Sequence, residues 1–385
     1  MPASHASDTD SQESVAHLAG AGDNATRALL GALEDNVNCS ANEVAMRAVV
    51  YSQTGGPEVL RLVERPAREP EPGEVRVKMQ VSGVNPTDWK ARRGSRAGAE
   101  LPFPELVPNQ DGAGTIDAIG DGVPAGRVGE RVWLWEAAWQ RADGTAQELV
   151  VIPSRQAVRL PDAASMDVGA SLGIPALTAH RCLTVSERGP RKLTPGALHG
   201  QTVLVAGGAG AVGHAAIQLA FWAGARVLST VSNDEKARLA LAAGAEHTVN
   251  YRTGEAPDEI RAAAPKGIDV IVEVAPAENA ALDAAVVAPN GTVAAYATDG
   301  GSELELNVRE LMSRNLRYQF VLVYTVPGAA KDQAVADVAV AVADGALEVG
   351  EHVGLALHRF PLERMADAHD AVESGAVGKV LVDII

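Results

Sequence analysis

Cysteine is almost absent: Cys39 and Cys182 are the only two, too few for a disulfide framework or a four-thiolate zinc site, so a reducing cytoplasm suits the chain. Long apolar runs are missing as well, none approaching the roughly 18–20 residues needed to span a bilayer. The opening MPASHASDTDSQES is polar and acidic, where a secretory signal would be basic and then apolar, so neither export nor membrane insertion is expected. Positive charge is in deficit. Thirty-three Lys and Arg against 49 Asp and Glu give a formal charge of −16, a field that repels nucleic acid and anionic lipid. Any anionic ligand must therefore be captured by local donors. The 9 histidines are scattered without ligand spacing, and no metal site is expected.

What is present is ordinary globular material, with 21% charged residues and 46% in the hydrophobic set. A single core stops growing at roughly 250–300 residues, so a chain of 385 is expected to hold two domains. Residues 1–45, rich in Ser, Asp, Asn and Ala, read as a mobile N-terminal extension. From Met46 short strand-like runs follow one another: MRAVVY, GEVRVKMQVSGV, GTIDAIG, GERVWLW and AQELVVIP, separated by Pro and Gly punctuation. Such a series predicts a partly closed barrel or sandwich. After Pro161 the period changes. TVLVAGG, ARVLSTV, HTVNY, DVIVEVA, GTVAAYA and RYQFVLVY alternate with helical stretches, the pattern of a parallel, doubly wound α/β sheet. From about Thr325, two helical segments and the strand KVLVDII are too short for a domain and are expected to return to the first one.

The strongest local signal is QTVLVAGGAGAVG, where a strand runs directly into Gly208-Ala209-Gly210-Ala211-Val212-Gly213 and then a long helix. This is the G-x-G-x-x-G spacing in the strand-turn-helix context that gives it meaning. Glycines permit the tight turn and let backbone approach a pyrophosphate, while the helix N-terminus offers unpaired N–H groups and a partial positive charge. The second strand then bears on the choice of nucleotide. An NAD-preferring fold places a carboxylate there for the ribose 2′-hydroxyl. Here the strand ends Leu228-Ser229-Thr230-Val231-Ser232, small residues that leave room for a 2′-phosphate. Lys236 is either its counter-charge or a solvated helix lysine.

Several blocks in order carry a family resemblance: SGVNPTDWKARRG at 82–94, PNQDGAG at 108–114, GIPALTAHRCL at 173–183, the glycine loop at 207–213, AAGAEHTVNY at 242–251, KGIDVIVEV at 266–274 and the closing GKVLV. From Met46 to Ile385 the chain resembles the quinone oxidoreductase (zeta-crystallin-like) branch of the medium-chain dehydrogenase/reductase family. The resemblance implies a GroES-like β-barrel domain (46–170 with 325–385), a Rossmann NADPH-binding domain (171–324), an active site between them, and a homodimer formed through the last Rossmann strand near Arg317 to Tyr324. Zinc-dependent cousins hold a Cys where Asn85 stands and a His-Glu pair where Gln110 and Asp111 stand, and the four-Cys lobe has no counterpart here, so zinc-assisted chemistry is disfavoured.

In relatives the positions of Asn85 and Thr178 lie against the nicotinamide; the plain alternatives are a turn Asn before Pro86 and a helix Thr. The positions of Lys236 and Tyr251 contact the 2′-phosphate in NADPH-binding relatives, and those of Val274 and Tyr296 complete the expected cofactor lining. Lys90 stands where some relatives carry a pocket Tyr and could donate to an oxyanion, or simply face solvent. Trp89, Trp133, Trp135 and Trp139 are candidates for stacking a planar acceptor or for the core. The function implied is hydride transfer from NADPH to a quinone or similar conjugated carbonyl. Two alternatives share these motifs: an enone or enoyl double-bond reductase, and a non-catalytic NADPH-binding protein.

Overall fold

In the computed structural model, residues 45–94 and 98–385 are described, so the N-terminal extension lies outside the described residues. The strands expected from the short apolar runs form. Ala45–Val50 (β1) pairs with Arg61–Pro66 (β2), and Glu74–Val84 (β3), Asp111–Ile119 (β4), Arg131–Leu134 (β5), Leu149–Pro153 (β6) and Ala157–Arg159 (β7) pair antiparallel in the order β6-β3-β4-β5-β7. In β3 alternate positions are buried until Val81 to Val84, where the strand becomes buried on both faces. That change marks where a second layer covers the sheet.

Helix α1 (Pro86–Arg93) follows β3, and α2 (Gly173–Leu183) carries the chain into the second sheet. There Thr202–Ala206 (β8), Arg226–Val231 (β9), His247–Asn250 (β10), Ile268–Glu273 (β11), Val287–Ala295 (β12) and Arg317–Phe320 (β13) lie in the order β10-β9-β8-β11-β12-β13, and every neighbouring pair is parallel. Helices α3 (Ala211–Trp222), α4 (Asp234–Ala242), α5 (Ala256–Ala263) and α6 (Pro276–Val286) make the first four crossovers, and a short helix at Val308–Ser313 lies in the fifth. This is the doubly wound order whose direction reverses between β8 and β11, and ligands bind at the carboxyl ends of the strands flanking that reversal.

The tail returns to the first sheet. After α7 (Gly328–Ala343) come the strand Leu357–Pro361 (β14), the helix α8 (Met365–Glu373) and the strand Lys379–Asp383 (β15); β15 pairs antiparallel with β3 and parallel with β14. Strand β14, half-exposed, charged and closed by Pro361, has no apolar run to announce it and was not anticipated. Helix α2 is the spine between the sheets. It is buried from Gly173 to Leu183 except at Arg181, and its apolar side chains share one core with Trp133 and Trp135 of the first sheet and Val203 and Val205 of the second. Among the described residues, no helix is long and apolar enough to cross a membrane.

Candidate functional site

The glycine turn sits at the reversal point, between the ends of β8 and β11. Gly207 has φ +71°, in the left-handed region where a side chain is strained. A Cβ on Gly208 would lie 2.3 Å from Ser229 Oγ, and one on Gly213 would lie 2.4 Å from the Gly207 carbonyl oxygen, so both glycines are required by packing. Gly210 differs: a Cβ there meets nothing nearer than 3.5 Å. It is the N-cap of α3 and supplies no side-chain cap, leaving the first helical N–H groups, from Ala211, Val212 and Gly213, for a ligand. A cradle with one open glycine and free amides fits a pyrophosphate.

The other expected cofactor residues gather along the same edge. Val274 follows β11 and faces Gly207, its Cγ1 being 3.4 Å from a Cβ built there. Tyr296 follows β12, is partly buried, and donates its backbone N–H to the Glu273 carbonyl at 3.0 Å. Burial, reinforced by nearby Glu273 and Asp299, holds its hydroxyl well above the usual phenol range, so it stays protonated. Ser232 is buried just past β9, and the Lys236 backbone donates to Asn233 Oδ1 at 2.9 Å to cap α4, with the lysine side chain only partly buried. Tyr251 stands 45% exposed at the end of β10. Backbone and small side chains thus line the turn, while Lys236 and Tyr251 are the more exposed members of the group.

Where β3, β4 and β15 meet the start of α2, the seam between the two sheets, lies a buried polar cluster. Asn85 is the N-cap of α1, and its backbone N–H donates to Asp88 Oδ2 at 2.7 Å. Its side-chain Nδ2 donates to Asp111 Oδ2 at 2.7 Å, and its Oδ1 accepts from Lys379 Nζ at 2.6 Å. The same ammonium lies 3.7 Å from Asp111 Oδ2 and donates to the Val84 carbonyl at 3.3 Å. Asp111 Oδ1 accepts from the Ile174 N–H at 2.8 Å, capping α2 from outside, because the N-cap residue Leu172 has no group to do so. The helix that carries the buried Thr178 is thereby tied to the cluster. Asn85, Asp88, Asp111 and Lys379 are each no more than 3% exposed.

Two glycines make this approach possible. A Cβ on Gly173 would fall 2.1 Å from Asp111 Oδ1, and one on Gly83 would fall 2.0 Å from the Ala170 carbonyl oxygen and 3.1 Å from Lys379 Cε. The ammonium pairs with Asp111, and Asp88 stands near enough to feel both charges. Burial first, and the neighbouring Asp111 second, push Asp88 up to about 8, while burial also raises Asp111 and lowers Lys379 against the pull of the carboxylates. Asp88, with Oδ1 unpartnered, is the carboxyl that takes the proton.

Lys90 is not brought to this cluster; it is exposed, its Nζ lying 5.6 Å from the centroid of the Trp89 ring. Trp133 and Trp135 are buried in the core. Trp139 does face a planar group, stacking on Tyr324 with ring centroids 4.4 Å apart, and Tyr324 shares a 3.0 Å hydroxyl–hydroxyl hydrogen bond with Thr87 of α1. Asp88, Asp111, Tyr324 and Lys379 were missed in the sequence. A lysine opening the otherwise apolar strand KVLV was the available signal. The positions where zinc-dependent cousins hold ligands carry Asn85, Gln110 and Asp111, and Gln110 Oε1 accepts from the Ala138 N–H at 3.1 Å. Among the described residues no cluster of three or more His, Cys, Asp and Glu is placed to hold a metal ion.

Comparison with known proteins gives a consistent picture. Residues 71–162 match the alcohol dehydrogenase GroES-like domain family and residues 211–341 the zinc-binding dehydrogenase family. The quinone oxidoreductases of Lama guanicoe and Homo sapiens are 32% and 30% identical, each match covering 88% of this chain and 97% of the relative. Among solved structures, a mycobacterial protein complexed with NADPH aligns with TM-score 0.72 and 27% identity, over 88% of this chain and 99% of its own. An NAD-dependent alcohol dehydrogenase aligns with TM-score 0.77 and 29% identity, over 88% and 100%.

Proposed function

The chain belongs to the medium-chain dehydrogenase/reductase family, and on that premise we propose that it is an NADPH-dependent oxidoreductase reducing a quinone or similar conjugated carbonyl compound. The observation that carries this reading is the turn at Gly207 to Gly213: two glycines closed by packing, one left open, and an uncapped helix end at the reversal point of the sheet. Ser232 and the absence of a carboxylate at the end of β9 admit a 2′-phosphate, with Lys236 and Tyr251 at its side. Thr178, Val274 and Tyr296 are assigned to the same cofactor, with Val274 the one that packs against the turn.

A bound reduced nicotinamide would supply hydride, and one solvent proton completes the two-electron, two-proton reduction of a quinone to a hydroquinone. The protein's own part is placement. Asn85 offers an amide donor at the seam, the Asp111 cap fixes the helix of Thr178, and Trp139 with Tyr324 provides a flat wall for an aromatic acceptor. No dedicated acid is required, because a hydroquinone anion is stabilised enough for water to protonate it. Asn85, rather than the exposed Lys90, is the side chain assigned to the reacting groups.

By this reading 46–170 with 325–385 form the acceptor-binding domain and 171–324 the cofactor domain. The homodimer expected from the family resemblance is assigned to the open edge at β13, where Phe320, Leu322, Val308 and Met312 are 63%, 55%, 64% and 71% exposed. The deciding experiment follows NADPH absorbance across a panel of quinones and enones, with NADH run beside it. Quinone turnover with NADPH preferred is expected. Tight NADPH binding with no oxidation by any acceptor would overturn the proposal, and turnover confined to enones, with their C=C bond reduced and no quinone accepted, would replace it with the double-bond reductase reading.

A further inference from the structure

A carboxamide can present either of its ends to a ligand, and the two ends recognise opposite partners. Asn85 has no such freedom. Lys379 Nζ can only donate, so the atom 2.6 Å from it must be Oδ1, and an ionised Asp111 can only accept, so the atom 2.7 Å from its Oδ2 must be Nδ2. Both contacts are buried, where a mispaired group is expensive, and the alternative orientation would set a donor against a donor and an acceptor against an acceptor at once. Nδ2 carries a second hydrogen for which no acceptor exists among the described residues.

We infer that Lys379 is a positioning residue for the proposed reaction: it locks the Asn85 carboxamide so that an N–H, never the carbonyl oxygen, is offered to a ligand at the seam. The partner is then a carbonyl oxygen, belonging either to the nicotinamide carboxamide or to the acceptor. The ammonium contributes polarity as well as geometry. A cation held against Oδ1 draws electron density along the amide and strengthens its N–H as a donor, an effect enlarged by the dry surroundings. Lys379 reaches this point from the last strand of the chain, through the gap left by Gly83, whose Cβ would lie 3.1 Å from Lys379 Cε. Its ammonium is already taken up by Asn85 Oδ1, the Val84 carbonyl and the counter-ion Asp111, so it has no donor left for a ligand.

The inference rests on the NADPH-dependent reading, and the two fail differently: wild-type protein that neither binds nor oxidises NADPH sinks the reading, whereas active wild type beside an equally active Lys379→Met variant sinks only the lock. The test compares wild type, K379M, K379R and the double variant D111N/K379M, with active sites counted by NADPH titration so that misfolded protein does not enter the rate. The double variant removes the ion pair as a unit, avoiding a lone buried carboxylate. The lock predicts that K379M and D111N/K379M lose about tenfold or more per active site. The loss appears in NADPH affinity if the cofactor carboxamide is the partner, or in kcat and the acceptor KM, with NADPH affinity kept, if the acceptor is. K379R, which keeps a cation against Oδ1, recovers most of it. Folded K379M or double variant with unchanged NADPH affinity and acceptor kinetics overturns the lock. So does failure of all three variants to fold, which would make Lys379 a packing residue.

Discussion

Two alanine substitutions three residues apart in the glycine turn are expected to act by different physics. At Gly213 a methyl group would meet the Gly207 carbonyl oxygen at 2.4 Å and Gly208 Cα at 2.9 Å, both backbone, so the helix must move off the strand. Overpacking of that kind costs about 1–3 kcal/mol of stability, with or without nucleotide. At Gly210 the nearest atom is 3.5 Å away and φ is −84°, which alanine adopts freely. The N-cap prefers Gly to Ala, but alanine also removes about 0.4–1 kcal/mol of unfolded-chain freedom, so the free protein should change by less than about 1 kcal/mol. The ligand feels the difference. A methyl group standing between a phosphate and the helix end removes at least one charge-assisted hydrogen bond, about 1.5–3 kcal/mol, and weakens NADPH binding about 10- to 150-fold. Thermal unfolding of the nucleotide-free proteins and fluorescence titration with NADPH measure both quantities. If G210A bound NADPH as wild type does, the phosphate would not sit where this turn implies.

Lys236→Ala should weaken NADPH about 5- to 30-fold, the smaller end of a charged contact because the side chain is partly exposed, and leave NADH unchanged; parallel titrations check this, and equal losses for both nucleotides would remove Lys236 from the 2′-phosphate. Asp88 is raised to about 8 in the fold from an unfolded value of about 3.9, so the stability it lends as a neutral acid is complete below about pH 4 and lost as pH rises through 8. Facing Asp111 and Lys379, it should make wild-type unfolding temperatures fall from pH 6 to 9, with a slope of at most about 1.4 kcal/mol per pH unit, and Asp88→Asn should flatten that limb; identical pH profiles would refute the neutral-acid assignment. Phe320→Asp at the open edge of β13 should convert a dimer to a monomer in light scattering, and a wild type already monomeric would dispose of the interface.

The legible part of the molecule is the part written in short windows. The inner strands β8 and β11 are near-continuous apolar runs, because burial on both faces leaves little room for a polar alternate, and they were readable from their own few residues, whereas the edge strands β10 and β13 are shorter and mixed. The glycine turn was readable for a related reason: steric demands fall on residues at fixed offsets, and the structure adds only which glycine answers to which atom. The half-exposed β14 was not readable, since its burial depends on β15 beside it.

The candidate site divides the same way. Asn85, Thr178 and the phosphate-side residues stood in recognisable blocks, but the groups that set their chemistry did not. Lys379 lies 294 positions from Asn85, Asp111 lies 63 from the amide it caps, and Tyr324 lies 237 from Thr87. Composition, period and local spacing determined a two-sheet α/β chain with a nucleotide turn, because propensity and steric exclusion act between near neighbours. Which end of Asn85 faces the ligand, which carboxyl keeps its proton and which aromatic ring meets another were decided only by folding, because hydrogen bonding, desolvation and charge act through space between residues that the chain order keeps far apart.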